Sequence, residues 1–344
     1  MNGTLTIAEI AEQPDVFDRI RSEGWPHIRE LGRAIAGRQP RFVVFVARGT
    51  SDHAALYAKY LVETCLSLPA GLASPSTMTV YDAHPKMNDV LVIAVSQSGS
   101  SPDLVEPLAR ARAGGAVTVA VTNSPGSPLA EAAEFHLDVL AGPERAVAAT
   151  KTYTAELLTL YLLIQAIAER DAAETDQLSA QARELVDRRD EIGRIAIRYR
   201  FAEQLVTTAR GYNYPTAREA ALKLMETSYL ICHAFSGADL LHGPMAIIDR
   251  GFPVIAIAPT GPGAGALRPV LERLRELGAD TLVVGGSDAI ALGTLGFRLP
   301  DAVPEILSPM VSIIPLQLLA WHLALERGGD PDQPRGLMKV TSTW

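Results

Sequence analysis

Along this chain, short runs of purely apolar residues alternate with longer stretches in which apolar positions recur every three or four residues. Phe42-Val43-Val44-Phe45-Val46, Val90-Leu91-Val92-Ile93-Ala94-Val95 and residues 117–122 read as strands buried on both faces. Helical patterns lie between and around them: an amphipathic stretch over 14–37, then 52–66, 102–113 and 150–170. Residues 173–200 are charged and helical and read as a connector. The alternation then restarts with strands at 204–208, 254–258 and 281–284, and helices at 215–231, 264–277 and 308–326, the last with Pro315 as a point for a kink. Strand–helix alternation of this kind predicts parallel sheets covered by helices.

The restart reads as an internal repeat. Ala47-Arg48-Gly49 opens the first helix of one half and Ala209-Arg210-Gly211 that of the other, and Glu63-Thr64 and Glu226-Thr227 stand near the matching helix ends, 162 and 163 residues apart. The expected fold class is therefore α/β, two tandem domains, each a doubly wound parallel sheet flanked by helices. The expected partition is a helical lead-in over 1–40, a first domain over 41–172, the connector over 173–200, a second domain over 201–330, and a tail over 331–344 that closes the active site.

Two domains also suit a length of 344 residues, nearly half of them apolar. The net charge of −8 argues against nonspecific nucleic-acid binding. No uninterrupted apolar run is expected to span a membrane, and the N-terminus lacks the basic-then-apolar pattern of a signal peptide, so a cytoplasmic protein is expected. The two cysteines, Cys65 and Cys232, lie within or beside apolar helical patterns and read as buried thiols. The seven histidines show no zinc spacing, so no metal site is expected. In helix 308–326, Met310, Ile314, Leu318, Trp321 and Leu325 recur at helical spacing, a stripe more typical of core than of interface.

Chemistry concentrates at a few places. Ser96-Gln97-Ser98-Gly99-Ser100-Ser101 sets four hydroxyls and a glycine on the turn from a buried strand into a helix. Helix N-termini offer unpaired N–H groups to anions, so this turn is either a phosphate cradle or an ordinary capped Ser/Gly loop. Gly49-Thr50-Ser51 occupies the corresponding turn after the first strand, and in such folds ligands sit beyond the carboxyl ends of strands. Lys223 and Glu226 share a helix face. They form either a surface pair or a carboxylate base with its positioning lysine. His242, in a Gly-Pro turn, is a plain turn residue or a near-neutral acid/base group. The stretch from Asp332 to Thr341 mixes Pro, Gly and apolar residues, unusual for a tail, and its Lys339 is a solvated lysine or an amine nucleophile toward a carbonyl.

Taken together these motifs resemble the SIS (sugar isomerase) family, and within it the isomerase half of the glucosamine-6-phosphate synthases. The resemblance runs nearly end to end, through Glu9-Ile10-Ala11-Glu12-Gln13-Pro14, Gly49-Thr50-Ser51, Ser96-Gln97-Ser98-Gly99 and Val147-Ala148-Ala149-Thr150-Lys151. It continues through Ala221-Leu222-Lys223-Leu224-Met225-Glu226 and His242-Gly243-Pro244 to Asp332-Gln333-Pro334-Arg335. It implies two SIS domains and a sugar-phosphate pocket at Ser51, Ser96, Gln97, Ser98 and Ser101, with Gly49, Thr50 and Gly99 in the same turns and Val147 as a backbone contact to the sugar. It further implies that Glu226 moves a proton between C1 and C2, with Lys223 beside it. His242 opens the sugar ring from the neighbouring subunit of a homodimer, and Lys339 forms a Schiff base with the open-chain ketose.

The chain departs from that pattern. Asn2 stands where the synthase has its N-terminal cysteine, no cysteine precedes Cys65, and the glutaminase domain is expected to be absent, so ammonia would not come from glutamine within this chain. His233 replaces a glutamate and Leu241 a lysine. Stand-alone chains of this kind look like the SIS-type glucosamine-6-phosphate deaminases. The expected activity is conversion of glucosamine 6-phosphate to fructose 6-phosphate and ammonia, or the reverse with free ammonia, without cofactor. The alternatives are a deglycase or isomerase of another phosphosugar, such as a 6-phosphofructosyl amino acid, and a non-catalytic sugar-phosphate sensor. The partners expected are a small sugar phosphate and a second copy of the chain, with no nucleic acid and no membrane.

Overall fold

The computed structural model describes residues 2–339. The chain forms two compact units. The first comprises residues 15–144, 151–176 and 338–339; the second comprises residues 2–14, 145–150 and 177–337.

The first unit is built on strands β1 (Phe42–Val46), β2 (Ala70–Leu72), β3 (Val90–Ser96), β4 (Val117–Thr122) and β5 (Phe135–Asp138). They form one sheet in the order β2-β1-β3-β4-β5, with every neighbouring pair parallel. The second unit repeats this plan with β6 (Gln204–Ala209), β7 (Ile231–Ser236), β8 (Pro253–Ala258), β9 (Asp280–Gly285) and β10 (Leu295–Arg298), in the order β10-β9-β8-β6-β7. Read in chain order, the two sheets have the same topology, which is the physical content of the repeat.

The central strands are those with continuous apolar runs, because helices cover both of their faces. Val92 and Ala94 of β3 pack with Leu104, Leu108 and Leu129, and Val254 and Ala256 of β8 pack with Leu267, Leu271 and Leu274. The amphipathic stretch expected at 14–37 is helical throughout, with one π-helical turn at Ile20–Gly24 between helices Gln13–Arg19 and Trp25–Ala36. In the first unit Trp25–Ala36 lies on helix Lys151–Ile167, every residue of which is buried. Gly32 permits the approach, since a Cβ there would stand 2.4 Å from that of Ala166.

Several expectations are corrected. Strands β2, β5, β7 and β10 lie at sheet edges, are half-exposed and lack an apolar run, so periodicity passed over them. The helix expected over 215–231 ends at Ser228, where Tyr229 takes a left-handed conformation (φ 56°), and the chain enters β7. Cys232 is therefore a buried strand residue, and Cys65 is only half-buried, in the π-helical turn Val62–Leu66; both thiols are free.

Among the described residues one helix, Ser308–Glu326, is long enough and on average apolar enough to cross a membrane, but Ser312, Pro315 and Gln317 interrupt it, so it is not an uninterrupted apolar run. It is the core helix of the second unit. Met310, Ile314 and Leu318 are fully buried, and helices Arg189–Tyr199 and Tyr214–Ser228 pack on it. Two of its buried polar groups are paired: Ser308 accepts from Asn213, and Gln317 accepts from Gln13 and donates to the Thr150 carbonyl, while the buried Ser312 hydroxyl has no hydrogen-bond partner among the described residues.

The second unit joins the N-terminal helix to the segment around Asp332. Thr6 donates through its N–H and its hydroxyl to Asp332 Oδ1, both at 2.7 Å, and Glu9 accepts from the backbone N–H groups of Arg145 and Ala146. The segment from Asp332 onward is thus anchored through a buried carboxylate. Residues 340–344 of the expected tail lie outside the described residues.

Candidate active site

In the first unit β1 and β3 are neighbours, but their connections leave toward opposite sides, β1 to β2 and β3 to β4. The loops beyond their carboxyl ends therefore diverge and leave a crevice, the usual ligand position in doubly wound sheets. Gly49 opens helix Gly49–Leu61 with φ +56°, and the serine turn leads from β3 into helix Pro102–Ala113.

The turn holds its own shape. Ser96 Oγ, buried, accepts from the Gly99 N–H at 3.2 Å, and Ser98 Oγ accepts from the Ser100 N–H at 3.4 Å. Gly99 has φ +61°, and a Cβ there would fall 2.2 Å from Ser127 Oγ, so glycine is required twice over. Ser101 is the N-cap residue, yet its side chain makes no capping bond. Asp103, buried in the first helical turn, accepts from Arg48 Nε at 2.8 Å. Ser51 is buried and its hydroxyl donates to Glu156 Oε1 at 2.8 Å, while Thr50 is half-buried at the start of its helix.

Gln97, Ser98, Asn123, Ser124, Glu144 and Lys339 line a cavity of about 440 Å³ at this end of the sheet. Glu144 is its electrostatic centre. Its fully buried carboxylate accepts from Lys339 Nζ at 2.9 Å, Gln97 Nε2 at 3.0 Å and the Thr152 N–H at 3.1 Å. Burying a carboxylate is costly unless it is paired and hydrogen-bonded, and here it is both. Lys339 is therefore held at a cavity wall with its side chain a quarter exposed, unlike a solvated tail lysine. Sequence reasoning passed over Glu144. The signal available was a lone acid after Gly142-Pro143 in a segment otherwise rich in alanine and leucine.

The second unit holds the other candidate residues. On helix Tyr214–Ser228, Lys223 is 2% exposed, with its Nζ 2.6 Å from Glu226 and 3.3 Å from the fully buried Glu219. This is not a solvated surface pair. One lysine, one turn from each carboxylate along the same face, contacts two acids, and Glu226 alone of the three keeps part of its surface open. His242 caps the short helix Gly237–Leu241, whose N-cap Ser236 accepts from the Asp239 N–H, and the imidazole is exposed. Gly243 follows with φ +129°. Val147 donates its N–H to the Asp332 carbonyl at 3.2 Å. The two departures from the family pattern are both exposed: His233 stacks on Phe235 along β7, and Leu241 ends the short helix.

A model of the SIS domain matches residues 38–166 and again 199–327, and the chain belongs to the SIS domain family. Among curated proteins it is 35% identical over 340 residues to the glutamine–fructose-6-phosphate aminotransferase [isomerizing] of Methanothermobacter thermautotrophicus, and 36% identical over 343 residues to that of Pyrococcus horikoshii. These alignments take in 98% and 97% of this chain but 57% and 56% of the relatives, so the chain spans a little over half their length. Among solved structures it superposes on a Silicibacter pomeroyi protein provisionally assigned as a phosphosugar isomerase, with TM-score 0.87 and 33% identity, covering 96% of this chain and all of that one. The C-terminal domain of glucosamine-fructose-6-phosphate aminotransferase from Francisella tularensis gives 0.84 at 27% identity, covering 96% and 98%. A glucosamine-6-phosphate deaminase of Thermotoga maritima shares the fold, at TM-score 0.76 and 22% identity.

Proposed function

We propose that the chain is a phosphosugar isomerase that converts glucosamine 6-phosphate and water to fructose 6-phosphate and ammonia, or runs the reverse with free ammonia. The observation that carries this reading is Lys339, an amine held against a buried carboxylate in the cavity that the Gln97-Ser98 turn lines. Its relatives, which act by name on fructose 6-phosphate or are assigned to phosphosugars, support the substrate class.

In this reading the serine turn and the first-turn N–H groups of helix Pro102–Ala113 hold the phosphate, so binding at the remote end of the sugar positions its reacting carbons. His242, supplied by the second copy in a homodimer, moves the proton that opens the pyranose. Glu226 takes the proton from C2 and returns it to C1, with Lys223 keeping its carboxylate in place. The aldehyde becomes an enolamine and then a C2 imine. Lys339 attacks that imine and expels ammonia, and water then releases fructose 6-phosphate from the lysine. Glu144 is the adjacent acceptor for the proton that the attacking amine must shed. The backbone at Val147 holds a sugar hydroxyl.

The test is ammonia release from glucosamine 6-phosphate by the full chain, with Glu226→Gln and Lys339→Ala beside it. Loss of about 10²-fold or more in rate for Glu226→Gln, with substrate still bound, is expected of a general base. Borohydride in the presence of fructose 6-phosphate should fix one sugar per chain, and none in Lys339→Ala. An intact chain that binds glucosamine 6-phosphate but releases no ammonia refutes the reading; turnover of a 6-phosphofructosyl amino acid would then identify a deglycase.

A further inference from the structure

The second unit carries a cavity outside the machinery described above. Strand β8 runs into Gly261-Pro262-Gly263-Ala264-Gly265-Ala266, which opens helix Pro262–Leu277; the helix returns to β9, and Gly286-Ser287-Asp288 follows. This is a strand, a G-x-G-x-x-A turn, a helix, a parallel strand and then an acid 22 residues past Ala266, the order in which one half of a dinucleotide-binding fold meets its ligand. The turn and the acid line a cavity of about 440 Å³ beyond the carboxyl ends of β8 and β9. In the repeat these strands correspond to β3 and β4, whose ends line the Lys339 cavity, so both units open at the same place.

The glycines are there for space. A Cβ on Gly285 would lie 2.0 Å from the Ala258 carbonyl, so glycine is needed where the paired ends of β8 and β9 meet. A Cβ on Gly265 would meet nothing within 4 Å, so its missing side chain leaves room in the cavity. The walls divide by chemistry. Pro259, Leu271 and Leu292 are buried apolar surface, while Asp288, Arg268 and Asp301 are exposed charged side chains at the rim.

One position is already filled. Glu305 Oε1 accepts from the Gly263 N–H at 2.8 Å, and a Cβ on Gly261 would stand 2.3 Å from the other carboxylate oxygen. The protein's own carboxylate thus sits where a phosphate would bind at the helix start.

We infer that this cavity binds a purine nucleoside without phosphate, its base against Pro259, Leu271 and Leu292 and its ribose hydroxyls on Asp288. This site is independent of the phosphosugar reading.

The experiment is calorimetric titration of the full chain with adenosine, AMP and fructose 6-phosphate. Saturable adenosine binding is expected with a dissociation constant of about 1 mM or below. Gly265→Leu should weaken it about tenfold or more while fructose 6-phosphate binding and thermal unfolding stay as in the parent, since the new side chain enters open space on a helix. Asp288→Asn should weaken adenosine severalfold, and Glu305→Ala should shift preference from adenosine toward AMP. Absence of saturable adenosine binding in the millimolar range overturns the inference. So does binding that Gly265→Leu leaves unchanged, or that fructose 6-phosphate displaces.

Discussion

Replacing Lys223 by methionine tests how the second unit tolerates its buried acids. The substitution keeps the length of the stem and removes the ammonium that lies 2.6 Å from Glu226 and 3.3 Å from Glu219. At an effective dielectric constant of about 20, each contact corresponds to roughly 5–6 kcal/mol of Coulomb attraction, most of it offset by the cost of desolvating the ions. What the variant exposes is the uncompensated remainder. Glu219 is fully buried and cannot recover hydration, whereas Glu226 regains part of its own through its open face. Removing one partner of a buried pair typically costs about 3–5 kcal/mol, and with one of the two acids partly open the expected loss is about 3 kcal/mol. Urea unfolding followed by circular dichroism, fitted for the transition of the second unit, measures it. Glu219→Gln introduced together with Lys223→Met should recover about half of the loss, because the acid that cannot regain water is then neutral. A single-variant loss below about 1 kcal/mol, or a double variant no more stable than the single one, would refute the claim that the lysine neutralises a buried acid.

Two further outcomes follow from the first unit. Gly99→Ala forces a left-handed conformation at φ +61° and drives a methyl into Ser127, so thermal unfolding should report a loss of about 2–3 kcal/mol, with weaker binding of fructose 6-phosphate. His136 is half-buried beside Thr122, and desolvation holds its imidazole below the ordinary value of 6.5. The folded chain therefore resists a proton that the unfolded chain accepts, so stability is full above pH 6.5 and falls as pH drops below it. His136→Gln should flatten that acid limb in denaturation curves taken across this range; an unchanged limb would assign the sensitivity to other groups.

Periodicity alone located the buried strands and the amphipathic helix beside them. The runs at 42–46 and 117–122 and the helix at 102–113 lie at the bounds expected from periodicity, because strands enclosed by helices are mostly apolar, Thr118 and Thr122 being the buried polar exceptions in the second run. The repeat was legible for the same reason, since Arg48-Gly49 and Arg210-Gly211 both mark a strand turning into a helix. The edge strands were not legible: β7 alternates and is half-exposed, and only its hydrogen bonds to β6 make it a strand.

Of the chemistry, the spacing put Lys223 and Glu226 on one face, but burial, which depends on helices packed from far along the chain, made them an ion pair away from water. Glu144 became visible only in three dimensions, because what marks it is convergence of Lys339, Gln97 and the Thr152 N–H, residues spread over some 240 positions of sequence. The cavity at Gly265 is the same kind of fact: the glycine pattern can be read in one dimension, but the room it leaves, and the carboxylate of Glu305 at the helix start, are set by where the chain returns. Local sequence fixes periodicity and turn chemistry through short-range sterics and burial. Which charges meet is decided by long-range packing that no single segment encodes.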